Sequence, residues 1–298
     1  MSAPDFPAWS ALALARVEQA LTDWVPAAAP ARLGDAMRYA VLDGGKRLRP
    51  LLVLASAEAV QGNGSAAMRA ACAAELIHAY SLVHDDMPCM DNDVLRRGKP
   101  TVHVQYGEAQ ALLAGDALQA LAFELLTPEG DAVPPAMQAA LCGLLARAAG
   151  AAGMAGGQAI DLARVGRVLT EAELRAMHRL KTGALLQAAV RMGAACAAPA
   201  LPVATRAALD DYGAAIGLAF QVVDDILDVT ADSVQLGKTA GKDAAADKPT
   251  YVSLLGLTQA QALAAQLHTQ AHQALDASGL TALAPLRWLA DRVVKREN

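Results

Sequence analysis

The chain has 298 residues, 54% of them hydrophobic but only 4% aromatic, and a formal charge of -5. That length supports a sizeable core, and an Ala- and Leu-rich composition poor in β-branched residues favours helices. The mild acidity argues against a nucleic-acid partner, which needs a basic surface.

Helical periodicity runs through almost the whole chain, with no convincing strand pattern. A first helix is expected over Trp9–Trp24, stopping before Pro26, and a second from Arg32 to the Gly44-Gly45 pair. Pro50 stands at the start of a third, which runs to about Val60 and is closed by "QGNGS". Ser65–His84 reads as one long helix leading into "DDMPCMDND", and Glu108–Leu126 as another, ended by the loop "TPEGDAVPP". Met137–Ile160 is expected to be helical, loosened by Gly150, Gly153, Gly156 and Gly157. Thr170 opens "TEAE", a capping box, on a helix that carries Lys181-Thr182-Gly183 to about Gly193. A helix over Ala204–Val229 precedes "DSVQLGKTAGKDAAADKPT", expected to be a mobile loop, and two or three helices finish the chain.

The cysteines Cys72, Cys89, Cys142 and Cys196 show no CxxC pair or zinc-like spacing, which suits reduced thiols. The start "MSAPDFPAWS" lacks the basic segment of a secretory signal. The apolar run Ala109–Phe123 is interrupted by Gln110, Asp116 and Gln119, so no membrane span is expected. These features lead to the expectation of an all-α cytoplasmic protein, one domain over residues 1–298, built as a large bundle around a central cavity.

Two acidic clusters stand out. In "AFQVVDDILD", taking Gln221 as zero, Asp224 falls at about −60°, Asp225 at about +40° and Asp228 at about −20°, sharing an arc of about 100°. A helix packed through Val223, Ile226 and Leu227 shows three carboxylates and an amide to a cavity or to solvent. A solvated acidic face is the plain alternative, but the apolar surroundings and a second such cluster favour Mg²⁺ chemistry. In "HDDMPCMD" Asp85 and Asp91 would point apart on a straight helix. Pro88 should end or kink it and let Asp91 return toward Asp85 and Asp86. His78, seven residues before Asp85, lies on the same face. The basic motifs "GGKRLRP" and "RRGKP" contribute Lys46, Arg47, Arg49, Arg96, Arg97 and Lys99, with Lys181, Lys238, Lys242 and Lys248 further on. Acidic and basic clusters together suggest two diphosphates, one held through metal and one directly, on a greasy substrate.

With "GGQAIDL", "KTG" and "GKTAGKD" these motifs follow one order along essentially the whole chain. It resembles the trans-isoprenyl diphosphate synthase (polyprenyl synthetase) family, and most closely its bacterial farnesyl diphosphate synthases. The resemblance implies that Asp85, Asp86, Asp91, Asp224 and Asp228 hold three Mg²⁺ ions, for which Mn²⁺ could substitute, on an allylic diphosphate. Asp225 would act from behind them or through water. Arg96, Lys181, Lys238 and Lys248 would assist that diphosphate, and Lys46, Arg49, His78 and Arg97 would bind isopentenyl diphosphate. Oxygen dipoles at Lys181, Thr182 and Gln221 would steady an allylic cation. Tyr80 and Ser81 would floor the tail pocket, the aromatic Tyr80 going with a fifteen-carbon product. Val94 departs from the acid that relatives often carry there. A homodimer is also implied. The alternatives are a geranyl or geranylgeranyl diphosphate synthase on the same scaffold, or a non-catalytic partner subunit.

Overall fold

The computed structural model describes residues 5–42, 44–164, 169–230 and 250–295. Asp5 accepts from the Ala8 amide and starts α1 (Phe6–Trp24), which ends in extended backbone at Val25. A 3₁₀ turn (Pro30–Arg32) leads to α2 (Leu33–Val41), and α3 spans Leu48–Ala59. Asn63 caps α4 (Gly64–Asp85) by accepting from the Ala66 amide. Two two-residue strands, Leu95–Arg96 and Lys99–Pro100, then pair antiparallel. Next come α5 (Val102–Tyr106), α6 (Glu108–Leu126), α7 (Pro135–Ala149) and α8 (Met154–Ala163). Helix α9 (Glu171–His178) passes through a π turn (Arg179–Gly183) into α10 (Ala184–Ala195). The chain continues with α11 (Val203–Thr230), α12 (Tyr251–Leu255), α13 (Leu257–Ala277) and α14 (Ala284–Val294).

One hydrophobic core takes residues from nearly all of these helices. α4 is its axis: Ala66, Ala67, Ala70, Ala71, Ala73 and Ala74 are buried on every side, so neighbouring helices cover its whole circumference. α3 and α10 come especially close, since a Cβ on Gly193 would stand 2.4 Å from the Val53 carbonyl oxygen. Small residues at such crossings shorten the interhelical distance. α6 is long and apolar enough to cross a membrane by composition alone, as is the span Pro135–Ala163. Yet α6 buries Ala111, Ala114, Leu118 and Leu121 against the bundle, with α4 as its main neighbour.

Three expectations need correction. The helix expected over Met137–Ile160 is two helices, because Gly150 leaves the helical region at the end of α7 and Gly153 turns back onto it. A Cβ on Gly153 would meet the Ala148 carbonyl at 2.2 Å. The helix after Thr170 keeps its capping box, with Thr170 and Glu173 satisfying each other's amides, but is interrupted by the π turn. The strand pair was not anticipated. It exists because Arg97 (φ 54) and Gly98 (φ 76) both adopt the left-handed conformation, the geometry of a tight hairpin.

Candidate active site

The first acidic cluster forms where α4 ends. Asp86 closes the helix, and the Asp91 amide donates to the Asp85 carbonyl at 2.9 Å, so the loop past Pro88 returns as its sequence demands. Burial and the charges of Asp91 and Asp86 outweigh Lys181 and Arg96 and push the Asp85 carboxyl up to about 6. Mutual repulsion of this kind is what a divalent cation relieves. Asp86 is placed differently from the other acids. It is 2% exposed and takes three hydrogen bonds from Arg96: Nε to both carboxylate oxygens (3.0 and 2.8 Å) and Nη2 to Oδ1 (2.6 Å). In this arrangement Arg96 occupies the carboxylate that was expected to ligate metal directly.

The same hairpin turns Arg97 the other way. Its Nη1 donates to the Gly44 carbonyl at 2.5 Å, and a Cβ on Gly45 would stand 2.7 Å from that nitrogen. Gly45 (φ 136) therefore serves both backbone shape and close approach. Arg49 is buried, and its Nε has no hydrogen-bond partner. Burial, with the nearby Arg97 charge and despite Glu75, lowers its pKa to about 10. Burial also drives His78 well below its ordinary value, helped by Arg49, Arg97, Arg96 and Arg47, so its imidazole is neutral. Two guanidiniums, Arg49 and Arg97, thus converge beside the neutral His78, with the Arg49 Nε unspent, and exposed Lys46 sits in the adjoining loop. An 80 Å³ cavity between α2, α4 and the hairpin is lined by Tyr39, Leu82, Asp86, Arg96 and Arg97. Arg47 has a different task. It is 4% exposed and donates to Glu18 Oε1 (2.7 Å), Glu75 Oε1 (2.8 Å) and the Val41 carbonyl (2.5 Å), fixing the entry to α3.

The facing wall is α11 with the π turn. Gly157 on α8 and Gly217 on α11 clamp that turn: added Cβ atoms would lie 2.1 Å from the Lys181 nitrogen and 2.9 Å from the Gly183 Cα. Lys181 Nζ donates to Asp161 Oδ2 at 2.5 Å, and Thr182 Oγ1 donates to Gln221 Oε1 at 3.2 Å. Gln221 Nε2 donates to Asp225 Oδ1, and the Tyr251 amide to Asp225 Oδ2, both at 2.8 Å. Asp225 therefore anchors α12 and Gln221. Asp228 is 5% exposed and its Oδ1 has no hydrogen-bond partner. A buried, unpaired carboxylate oxygen among oxygen donors fits a hard divalent ion. Lys181 links the two walls, since its charge acts on Asp85 as well as on His178.

Tyr80 meets His84 edge to face at 5.7 Å, and His84 lodges in a notch at Gly115 of α6, where a Cβ would stand 2.0 Å from its Nε2. Ser81 donates to the His78 carbonyl at 2.8 Å. Lys238, Lys242, Lys248 and the expected loop around them lie outside the described residues. Sequence reading assigned no role to Asp161, Gln158 or His84. Asp161 was legible in retrospect, one helical turn after Gly157 and on the same face toward Lys181. Gln158, with both amide atoms buried and unbonded, carried no such signal.

A profile of the polyprenyl synthetase family matches residues 30–280. The chain belongs to the polyprenyl synthetase family. It is 52% identical over 264 residues to a probable farnesyl diphosphate synthase of Bradyrhizobium diazoefficiens, spanning 87% of this chain and 79% of that protein. It is 46% identical over 283 residues, spanning 95% and 76%, to a chloroplastic geranylgeranyl pyrophosphate synthase of Capsicum annuum. The crystal structure of an FPP/GFPP synthase from Zymomonas mobilis, without ligand, superposes with a TM-score of 0.85 at 40% identity, covering 97% of this chain and 98% of that one. As a polyprenyl synthetase the protein is an all-α prenyltransferase that condenses isopentenyl diphosphate.

Proposed function

We infer that this prenyltransferase extends dimethylallyl and geranyl diphosphate with isopentenyl diphosphate and stops at farnesyl diphosphate. The observation that carries the product length is the Tyr80–His84 pair wedged against Gly115, one turn below the first acidic cluster, where a growing tail would descend between α4 and α6. Lys46, Arg49, His78 and Arg97 hold the isopentenyl diphosphate, and its charge satisfies the Arg49 Nε that lacks a partner without it. Arg96 and Lys181, with Lys238 and Lys248, hold the allylic diphosphate.

Asp85, Asp91, Asp224 and Asp228 are the residues that would hold Mg²⁺, with Asp86 acting through Arg96. The metal supplies charge neutralisation for a leaving diphosphate. The allylic C–O bond breaks, and the cation lies against oxygens of Lys181, Thr182 and Gln221. The isopentenyl double bond attacks it to form the new C–C bond, and the proton lost next goes to the departed diphosphate. No protein general base is needed. Pairing of two copies through the outer face of α6, where Leu112 and Leu113 are exposed, completes the reading as a homodimer.

The test is the product of Tyr80→Ala with isopentenyl and dimethylallyl diphosphates. A shift from fifteen to twenty or more carbons is expected. An unchanged product would remove Tyr80 from the tail floor.

A further inference from the structure

Far from this site in the chain, α13 and α14 bring together side chains that the reaction does not use. His268 and His272 stand one turn apart on α13 and therefore project from the same face. Asp291, on α14, lies over that face. His268 Nε2 and His272 Nε2 both reach the same oxygen, Asp291 Oδ1, at 2.6 and 2.9 Å. The ring centroids are 4.6 Å apart, and ligand atoms of all three side chains fall within 4.8 Å of one another. Burial pushes the Asp291 carboxyl up, but the hydrogen bonds from His268 and His272 outweigh it and hold the group below its ordinary value. The three residues are half-buried, so the site is open on one side.

We propose that His268, His272 and Asp291 form a binding site for Zn²⁺ that ties α14 to α13. Two imidazoles and one carboxylate suit a borderline divalent ion, and three protein ligands leave a fourth position for water. Hard Mg²⁺ prefers oxygen donors and belongs to the aspartates. Tetrahedral bonds of about 2.1 Å put ligand atoms about 3.4 Å apart, so the contacts of 2.6 and 2.9 Å to Asp291 need open by less than about one ångström.

Arg287 sets the affinity. Its Nη1 is 3.2 Å from His272 Nδ1, and its Nη2 pairs with Asp276. The guanidinium can only donate, so this contact keeps the His272 proton on Nε2, facing Asp291. Binding Zn²⁺ through Nε2 moves that proton to Nδ1, and Nη1 must withdraw while Nη2 keeps Asp276. Arg287 is thus a competitor of the metal, which makes its removal a distinctive test.

The experiment uses the whole chain, stripped with EDTA and then kept in saturating Mg²⁺ so that the aspartates are filled. Zn²⁺ is titrated calorimetrically, and Co²⁺ is titrated while its visible d–d bands are followed. Nitrogen ligands in low coordination give intense bands, and octahedral oxygen sites do not. One equivalent of tight binding is expected. His268→Asn and His272→Asn should weaken it at least about 10-fold and remove the bands. Arg287→Met should tighten it several-fold. Absence of the tight equivalent, or unchanged binding in the folded histidine variants, overturns the proposal. Should those variants not fold, Arg287→Met decides: unchanged or weaker binding overturns it.

Discussion

Arg47 belongs to the "GGKRLRP" motif, yet its surroundings give it a structural role that can be measured. Its side chain is 2% exposed, Glu75 opposite it 4% and Glu18 37%. Burial opposes the guanidinium, but the two carboxylates outweigh it and raise its pKa. Arg47→Met leaves Glu75 charged and buried without its partner and takes a donor from the Val41 carbonyl. Glu18, at the surface, recovers water. Breaking a buried pair from one side costs about 3–5 kcal/mol, and the orphaned carbonyl keeps the figure from falling below that range. Glu75→Leu strands Arg47 with Glu18 still attached, so about 3 kcal/mol is expected. In the double variant Arg47→Met/Glu75→Leu an apolar pair fills the gap, and most of the loss should return. Urea unfolding of the wild type, both single variants and the double variant closes the cycle. A loss below about 1 kcal/mol for Arg47→Met, or a double variant as unstable as the summed singles, would refute the assignment.

Other predictions concern titration and assembly. Burial lowers His178 to about 4, and neither ring nitrogen has a hydrogen-bond partner. The unfolded chain therefore binds a proton that the folded one refuses between about pH 6.5 and 4. His178 should cost stability progressively as pH falls through that window, up to about 3 kcal/mol. His178→Phe should flatten that part of the stability–pH curve, and an unchanged curve would count against a neutral, buried ring. Asp85 has the opposite sign. Its folded carboxyl, near 6, ionises less readily than the unfolded one, so its charge destabilises the metal-free protein as pH rises from about 4 to 6 and stays costly above. Asp85→Asn should stabilise the metal-free protein at pH 7 by up to about 3 kcal/mol while abolishing Mg²⁺-dependent turnover. A destabilised variant would contradict the crowding of Asp85, Asp86 and Asp91. If two copies pair through α6 as proposed, Leu112→Glu with Leu113→Glu should halve the mass seen by light scattering, and an unaltered mass would count against that pairing.

The parts of the structure readable in advance were those fixed by local chemistry. The Thr170 capping box follows from side chains within a turn of each other, and the bounds Glu108–Leu126 from the apolar run between Gly107 and the Thr127-Pro128 loop. The return of Asp91 to Asp85 follows from Pro88, and the shared face of Gln221, Asp224, Asp225 and Asp228 from helical pitch. What escaped depends on contacts between distant segments. The π turn at Lys181 is set by Gly157 and Gly217 pressing from two other helices, and periodicity cannot register that. The pairing of Asp86 with Arg96 needs two left-handed residues at the hairpin tip, one of them an arginine that rarely adopts that shape. Arg47 and Arg49 look alike in sequence, but Glu18 and Glu75 neutralise one and leave the other with an unused donor.

The most direct test of the central claim is the product of the purified protein with labelled isopentenyl diphosphate, dimethylallyl diphosphate and Mg²⁺, with EDTA as control. A fifteen-carbon diphosphate that disappears with EDTA is the predicted result. A twenty-carbon product would contradict the role of the Tyr80–His84 wedge, and absence of any condensation product would contradict catalysis itself.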